Sequence, residues 1–104
     1  SYDTNKEIVM AETAYPFTLK EKDKSRNIID SADDIAGQFP ASPEGQRLYI
    51  DQVKKLNNKL AKGAGFCYWG GTWVSTKHFE SVWENQTLWD HDLKALPALL
   101  AFKD

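Results

Sequence analysis

Ile8, Val9, Met10 and Ala11 form an unbroken apolar run, β-branched at its start and closed by the carboxylate of Glu12. No polar residue alternates within it. Strands that read this way are buried on both faces, as strands of a parallel sheet are. The stretch Glu7–Thr13 is therefore expected to be a parallel strand, which needs a crossover to reach its neighbour. The chain offers one. Ser42 is a good N-cap, Pro43 suits the first helical position and Glu44 complements the helix dipole. Leu48, Tyr49, Val53, Leu56 and Leu60 then recur at helical spacing, with Lys54, Lys55, Asn58 and Lys59 on the other side. Lys62 and Gly63 are expected to end this helix. Gly65–Trp69, GFCYW, reads as a second apolar strand. Strand, loop, helix and strand make a βαβ unit, whose crossover is expected to be right-handed. Two parallel strands alone are a poor independent fold, so the sheet is expected to recruit strands from more chain or from another copy.

The rest of the chain adds connections. Its 104 residues allow one core and no second domain, so residues 1–104 are read as a single segment. With 41% hydrophobic residues and a net charge of −2 the chain does not read as disordered. It carries no basic patch of the kind nucleic acid selects. No apolar run approaches the ~18 residues of a transmembrane segment, and the first residues lack the pattern of an export signal. Cys67 has no partner for an intramolecular disulfide and is expected to pack as a small hydrophobe. Tyr15–Ala41 has no clear period beyond a helical turn near Ser31–Ala36. Such a loop exceeds the ~12–15 residues usual for structureless connections and is expected to be functional or held by an ion. A turn at Asp92–Lys94 and a short helix at Leu96–Phe102 close the chain.

Three groups of residues have chemical potential. Glu12 follows an apolar strand, and catalytic residues gather at the C-terminal ends of parallel strands. It is a candidate nucleophile or base, the plain alternative being a solvent-facing strand-end glutamate. Tyr15, Phe17, Tyr68, Trp69, Trp73, Trp83 and Trp89 mostly follow the two strand ends. Flat rings with a polar handle suit sugar rings, although each ring alone would serve equally as packing. Glu21, Asp23, Ser25 and Asn27 place oxygens at every second position of the long loop. Such spacing would suit a hard cation, or equally a solvated loop neutralised by Lys20, Lys22, Lys24 and Arg26. His78 and His91 lack zinc-ligand spacing, and Asn85-Gln86-Thr87 fits a glycosylation sequon.

The segments IVMAETAYPFT (Ile8 to Thr18), GFCYWGGTW (Gly65 to Trp73) and SVWENQTLWDHDLKALPALLAF (Ser81 to Phe102) together resemble the family 53 glycoside hydrolases, endo-β-1,4-galactanases that act on arabinogalactan. The resemblance implies α/β architecture: the C-terminal portion of a (β/α)8 TIM barrel, about strands seven and eight with their helices, incomplete as a fold by itself. It implies a retaining mechanism with Glu12 as nucleophile and the acid/base on a strand outside this sequence. Tyr15, Trp69, Trp73 and Trp83 are the implied substrate contacts. Gly70 and Gly71 stand where many members carry Glu-Pro, which is expected to open the mouth of the cleft. Bacterial members hold calcium in the loop after strand seven. Glu21, Asp23, Ser25 and Asn27 fall there, with Glu21 in place of an Asp and Ser25 in place of a His. No cofactor is implied for the chemistry itself. Galactan or arabinogalactan is the implied partner, with the rest of the barrel, and the implied location is extracellular or at the cell surface. A carbohydrate-binding module using exposed tryptophans, or a domain pairing with its own copies, are the competing readings.

Overall fold

The structure is a computed structural model and describes residues 5–103; the N-terminal residues 1–4 and residue 104 lie outside it. Strand β1 (Ile8–Thr13) pairs in parallel with β2 (Gly63–Tyr68), and helix α1 (Pro43–Lys59) crosses between them. The register sets Ile8 against Gly63, Val9 against Gly65, Met10 against Phe66 and Thr13 against Tyr68. Trp69 N–H extends the ladder by donating to the Thr13 carbonyl at 2.8 Å. The expected βαβ unit is present, with the second strand beginning two residues earlier than its apolar content suggests.

Helix α1 starts as its sequence dictates. The Ser42 hydroxyl accepts from Gly45 N–H at 2.9 Å and Pro43 takes the first turn. Gly45 is required there: a Cβ at this position would stand 1.8 Å from the Pro40 carbonyl oxygen. The buried stripe, however, is not the one that apolar spacing predicts. Gly45, Gln46, Ile50, Val53 and Asn57 face inward, whereas Leu48, Leu56 and Leu60 are about half exposed. Two amides displace leucines from the interior because buried carbonyls need donors. Asn57 Nδ2 donates to the Gly65 carbonyl, and Gln46 Nε2 to carbonyls on two other segments. Nor does Gly63 cap the helix. Leu60 is the C-cap, and Gly63 opens β2 so close to Asn57 that a Cβ would meet its carbonyl oxygen at 2.1 Å.

The hydrophobic core is small: Ile50, Leu88, Ala98 and Ala101, with Tyr49, Phe66, Tyr68, Trp89 and Leu99 packed against them. The closing segment Pro97–Phe102 is 3-10 helical and lies on α1, where Lys54 Nζ donates to the carbonyls of Ala101 and Lys103. The turn before it is made by Asp90, whose Oδ1 accepts from the N–H groups of Asp92 and Lys94, with Leu93 at φ 60°. The expected turn at Ser31–Ala36 is a single 3-10 turn, Ala32–Asp34, held by Asp34 accepting from Asp30 and Ser31 N–H.

The double burial expected of β1 is absent within this chain, since Ile8, Val9 and Met10 are 40–54% exposed. The layers that would cover them are not among the described elements. Cys67 is likewise exposed rather than packed, as its β2 position alternates away from the α1 side. Among the described residues no helix is long and apolar enough to cross a membrane.

Candidate active site

Glu12, the penultimate residue of β1, has an exposed side chain in a recess of about 220 Å³ lined by Glu12, Thr13, Ala14, Trp69, Trp83 and Gln86. Strand ends build one side of this recess, and Trp83 and Gln86, at the 3-10 turn Glu84–Gln86, build the other. Thr13 closes β1 and pairs with Tyr68, which delivers Trp69 to the same mouth one residue later. Trp73 and Trp83 extend the aromatic wall: Trp69 and Trp73 meet edge to face at 5.4 Å, and Trp73 and Trp83 at 6.3 Å. Trp69 and Trp73 are 42% and 49% exposed, so their faces are free to receive a ring.

The glycine pair does not leave the mouth open at Gly70. That residue adopts φ +64°, and a Cβ would lie 2.5 Å from the Trp83 indole nitrogen. The indole occupies the space a side chain would need, and its Nε1–H donates to the Trp69 carbonyl at 3.2 Å. A left-handed backbone and a close approach thus place Trp83 in the wall together.

Tyr15 does not fit its expected place among the substrate contacts. It is 5% exposed, stacked on Tyr49 at 4.4 Å, and its hydroxyl donates to the Phe39 carbonyl. Burial raises its pKa, an effect partly countered by the hydrogen bond to Ala36. It fastens the long loop instead of facing a ligand. Phe17 is also buried, with its ring against His91. The sequon residue Asn85 is fully buried and its amide donates to the carbonyls of Thr18 and Ile29, so the folded chain does not present it to a glycan-transferring enzyme.

A polar cluster lies behind the recess, and it gives Tyr68, which the sequence marks only as one of several rings, a hydrogen-bonding role beside Gln46, which the sequence does not mark. Gln46 Nε2 lies 3.0 Å from the Tyr15 carbonyl, 2.9 Å from that of Thr87 and 3.2 Å from the Tyr68 hydroxyl. That hydroxyl accepts from Tyr15 N–H at 3.0 Å and donates to the Gln86 carbonyl at 2.7 Å. The Tyr49 hydroxyl and Thr13 Oγ1 are 2.9 Å apart. Burial, set against the hydrogen bonds from Tyr15 and Gln46, pushes the Tyr68 hydroxyl up to about 12. An apolar-looking strand, GFCYW, hides this role, because only the fold brings three backbone segments to one phenol.

The four loop oxygens do not come together as a set. Glu21 is exposed, and the Ser25 hydroxyl donates to Glu80. Asp23 is committed: Oδ1 accepts from Ser25 N–H, and Oδ2 accepts from Ser81 N–H and the Ser75 hydroxyl. Although burial opposes ionisation, the hydrogen bonds from Ser75, Ser81 and Ser25 hold its carboxyl below the usual range. Only Asn27 is buried with its side-chain oxygen unpartnered. Calcium takes about 6–8 oxygens, and one free amide oxygen beside a committed carboxylate does not fit that demand. Among the described residues no three His, Cys, Asp or Glu side chains gather as a metal group. The loop is fastened by another carboxylate. Glu84, 2% exposed, accepts from Lys22 N–H at 2.5 Å and from Asp23 N–H, and shares the single Ser75 hydroxyl proton with Asp23.

Comparison with known proteins follows the same ground. The profile described as glycosyl hydrolase family 53 matches residues 2–102. An arabinogalactan endo-beta-1,4-galactanase of Cellvibrio japonicus (strain Ueda107) is 40% identical over 106 residues, which take in 95% of this chain and 28% of that protein. The Ignisphaera aggregans GH53 catalytic domain superposes with a TM-score of 0.82 at 34% identity, over 97% of this chain and 31% of the other. A structure of fungal beta-1,4-galactanases gives a TM-score of 0.64 at 28% identity, over 94% and 28%. This chain therefore spans less than a third of the length of each of these relatives.

Proposed function

Because the chain belongs to glycosyl hydrolase family 53, and its two strands with their helix are part of a (β/α)8 barrel, we propose that it supplies one catalytic half of an endo-β-1,4-galactanase. The observation that carries this reading is the recess itself: a carboxylate at the C-terminal end of a parallel strand, facing the tryptophans that follow the next strand.

In the proposed reaction Glu12 is the nucleophile of a double displacement. Its carboxylate attacks the anomeric carbon of a β-linked galactose while an acid on the remainder of the barrel, about 5 Å away, protonates the departing glycosidic oxygen. The glycosyl–Glu12 ester then forms as the C–O bond breaks. Water, deprotonated by the same second group, attacks the anomeric carbon, breaks its bond to the Glu12 carboxylate and releases sugar with retained configuration. Trp69, Trp73 and Trp83 hold the chain of sugars by their apolar faces, which suits the CH face of galactose. The chemistry needs two carboxylates and water. A polymer substrate too large to enter a cell favours an extracellular or surface location, which activity in culture medium against that in lysate would test.

Family membership favours hydrolysis over a stand-alone binding module. In the full-length enzyme Glu12→Gln should abolish turnover of galactan, by about 10⁴-fold or more given how completely nucleophile loss disables such mechanisms, with galactan binding retained. Near-normal turnover by the variant would overturn the assignment. The 104-residue chain alone, with one carboxylate of the pair, should not hydrolyse galactan.

A further inference from the structure

Among the described residues no hydrogen bond reaches the Glu12 side chain, and within this chain the backbone around it is what holds its direction. Immediately after it the chain turns away from β1 and is caught three times. Thr13 O accepts from Trp69 N–H, Tyr15 N–H donates to the Tyr68 hydroxyl, and Tyr15 O accepts from Gln46 Nε2. The opposite wall is caught by the same two side chains, through Gln86 O on Tyr68 and Thr87 O on Gln46. Gln46 is fully buried, and it comes from a third element, α1. Two side chains from β2 and α1 thus tie the segment that bears Glu12 to the segment that bears Trp83 and Gln86. The two segments also meet directly further on, where Phe17 N–H donates to the Asn85 carbonyl at 2.9 Å, but among the described residues no backbone hydrogen bond joins residues 12–14 to residues 83–87.

We propose that Tyr68 and Gln46 are positioning residues for the glycosidase reaction: they set the distance and direction of the Glu12 carboxylate relative to the tryptophan wall. The proposal rests on Glu12 being the nucleophile. In-line attack demands a near-attack geometry, and a displacement of about 1 Å costs on the order of 100-fold in rate. Tyr68→Phe keeps the ring that packs edge to face on Phe102 but removes the hydroxyl that bridges both segments. Its effect should therefore fall on the chemical step more than on substrate binding, which the tryptophan faces carry.

The test uses the full-length enzyme, assayed well below each variant's own unfolding midpoint. Tyr68→Phe and Gln46→Met should each lower kcat by about tenfold to 100-fold with KM for galactan changed less than about twofold, the pattern of an interaction used in the transition state. An aryl β-galactoside with a good leaving group should not restore the rate, since it relieves the need for acid assistance but not for an aimed nucleophile. Lys54→Met, which removes hydrogen bonds to Ala101 and Lys103 remote from the recess, should lower the midpoint and leave kcat unchanged. If Tyr68→Phe and Gln46→Met shift only the midpoint, or raise KM alone, the positioning role is overturned while Glu12→Gln still reports on the nucleophile. An active Glu12→Gln enzyme would instead overturn the reading beneath it. Failure of both variants to fold would assign the pair to stability and also overturn the proposal.

Discussion

Gly70 couples backbone conformation to the aromatic wall more tightly than any other residue in the recess. Its φ of +64° is one that side chains with a Cβ adopt at a cost of about 1 kcal/mol, and the Trp83 indole fills the place a Cβ would take. Gly70→Ala should therefore do two things at once in the full-length enzyme. Stability should fall by about 1–3 kcal/mol, strain and overpacking together, and the indole should leave the wall, raising KM for galactan while tryptophan fluorescence shifts. An unchanged KM would mean that Trp83 does not touch substrate. At this scale the sequence pointed to Glu12, Trp69, Trp73 and Trp83, and the structure sets Glu12, Trp69 and Trp83 around one recess with Trp73 against the two rings. It misled on Tyr15, whose ring carries the same signal, because a phenol that stacks on Tyr49 and donates to a loop carbonyl looks no different in sequence from one that meets a sugar.

The long loop between β1 and α1 is the element whose purpose sequence left most open. Alternate oxygens suggested an ion, but the structure commits Asp23 and Ser25 to hydrogen bonds with Ser75, Glu80 and Ser81, some fifty residues away in the chain, while Glu21 is exposed and Asn27 Oδ1 has no partner. The Ser75 hydroxyl lies between the carboxylates of Asp23 and Glu84, and Glu84 also takes two backbone N–H groups of the loop. This arrangement ties the loop to residues 75–84 by hydrogen bonds. Chelation of the full-length enzyme with EDTA should accordingly leave its midpoint unchanged, whereas Glu84→Leu should destabilise it by about 1–3 kcal/mol by leaving buried donors unpaired. A fall in midpoint on chelation, reversed by added calcium, would restore the ion to this loop. Helix α1 shows the same limit of local reading. Its ends were legible from Ser42 and Pro43, yet its buried stripe was assigned to leucines when Gln46 and Asn57 hold it. Hydrophobicity ranks side chains by their average cost of burial, and an amide with backbone carbonyls to satisfy is the exception that only a partner segment reveals.

As a molecule the chain is extended. Its radius of gyration is 14.9 Å, where a compact domain of this length has about 13 Å. Strand β1 exposes Ile8, Val9 and Met10, α1 and its C-cap expose Leu48, Leu56 and Leu60, and the closing segment exposes Leu100 and Phe102. A surface of this kind is reserved for further layers, in a barrel those supplied by neighbouring strands and helices. The isolated 104-residue chain should self-associate, its mass by light scattering rising with concentration, and should revert to a single species when the rest of the barrel is supplied. A concentration-independent monomer would show that the apolar faces need no partner. The sequence by itself determined the parallel βαβ unit, the helix start and the strand-end carboxylate, since each follows from local periodicity, capping chemistry and strand-terminal position. Only the tertiary structure decided which rings line the recess, what fastens the loop and what ties the segment after Glu12 to the facing wall, because those depend on contacts between residues as far apart as Tyr15 and Tyr68, whose pairing no local pattern records.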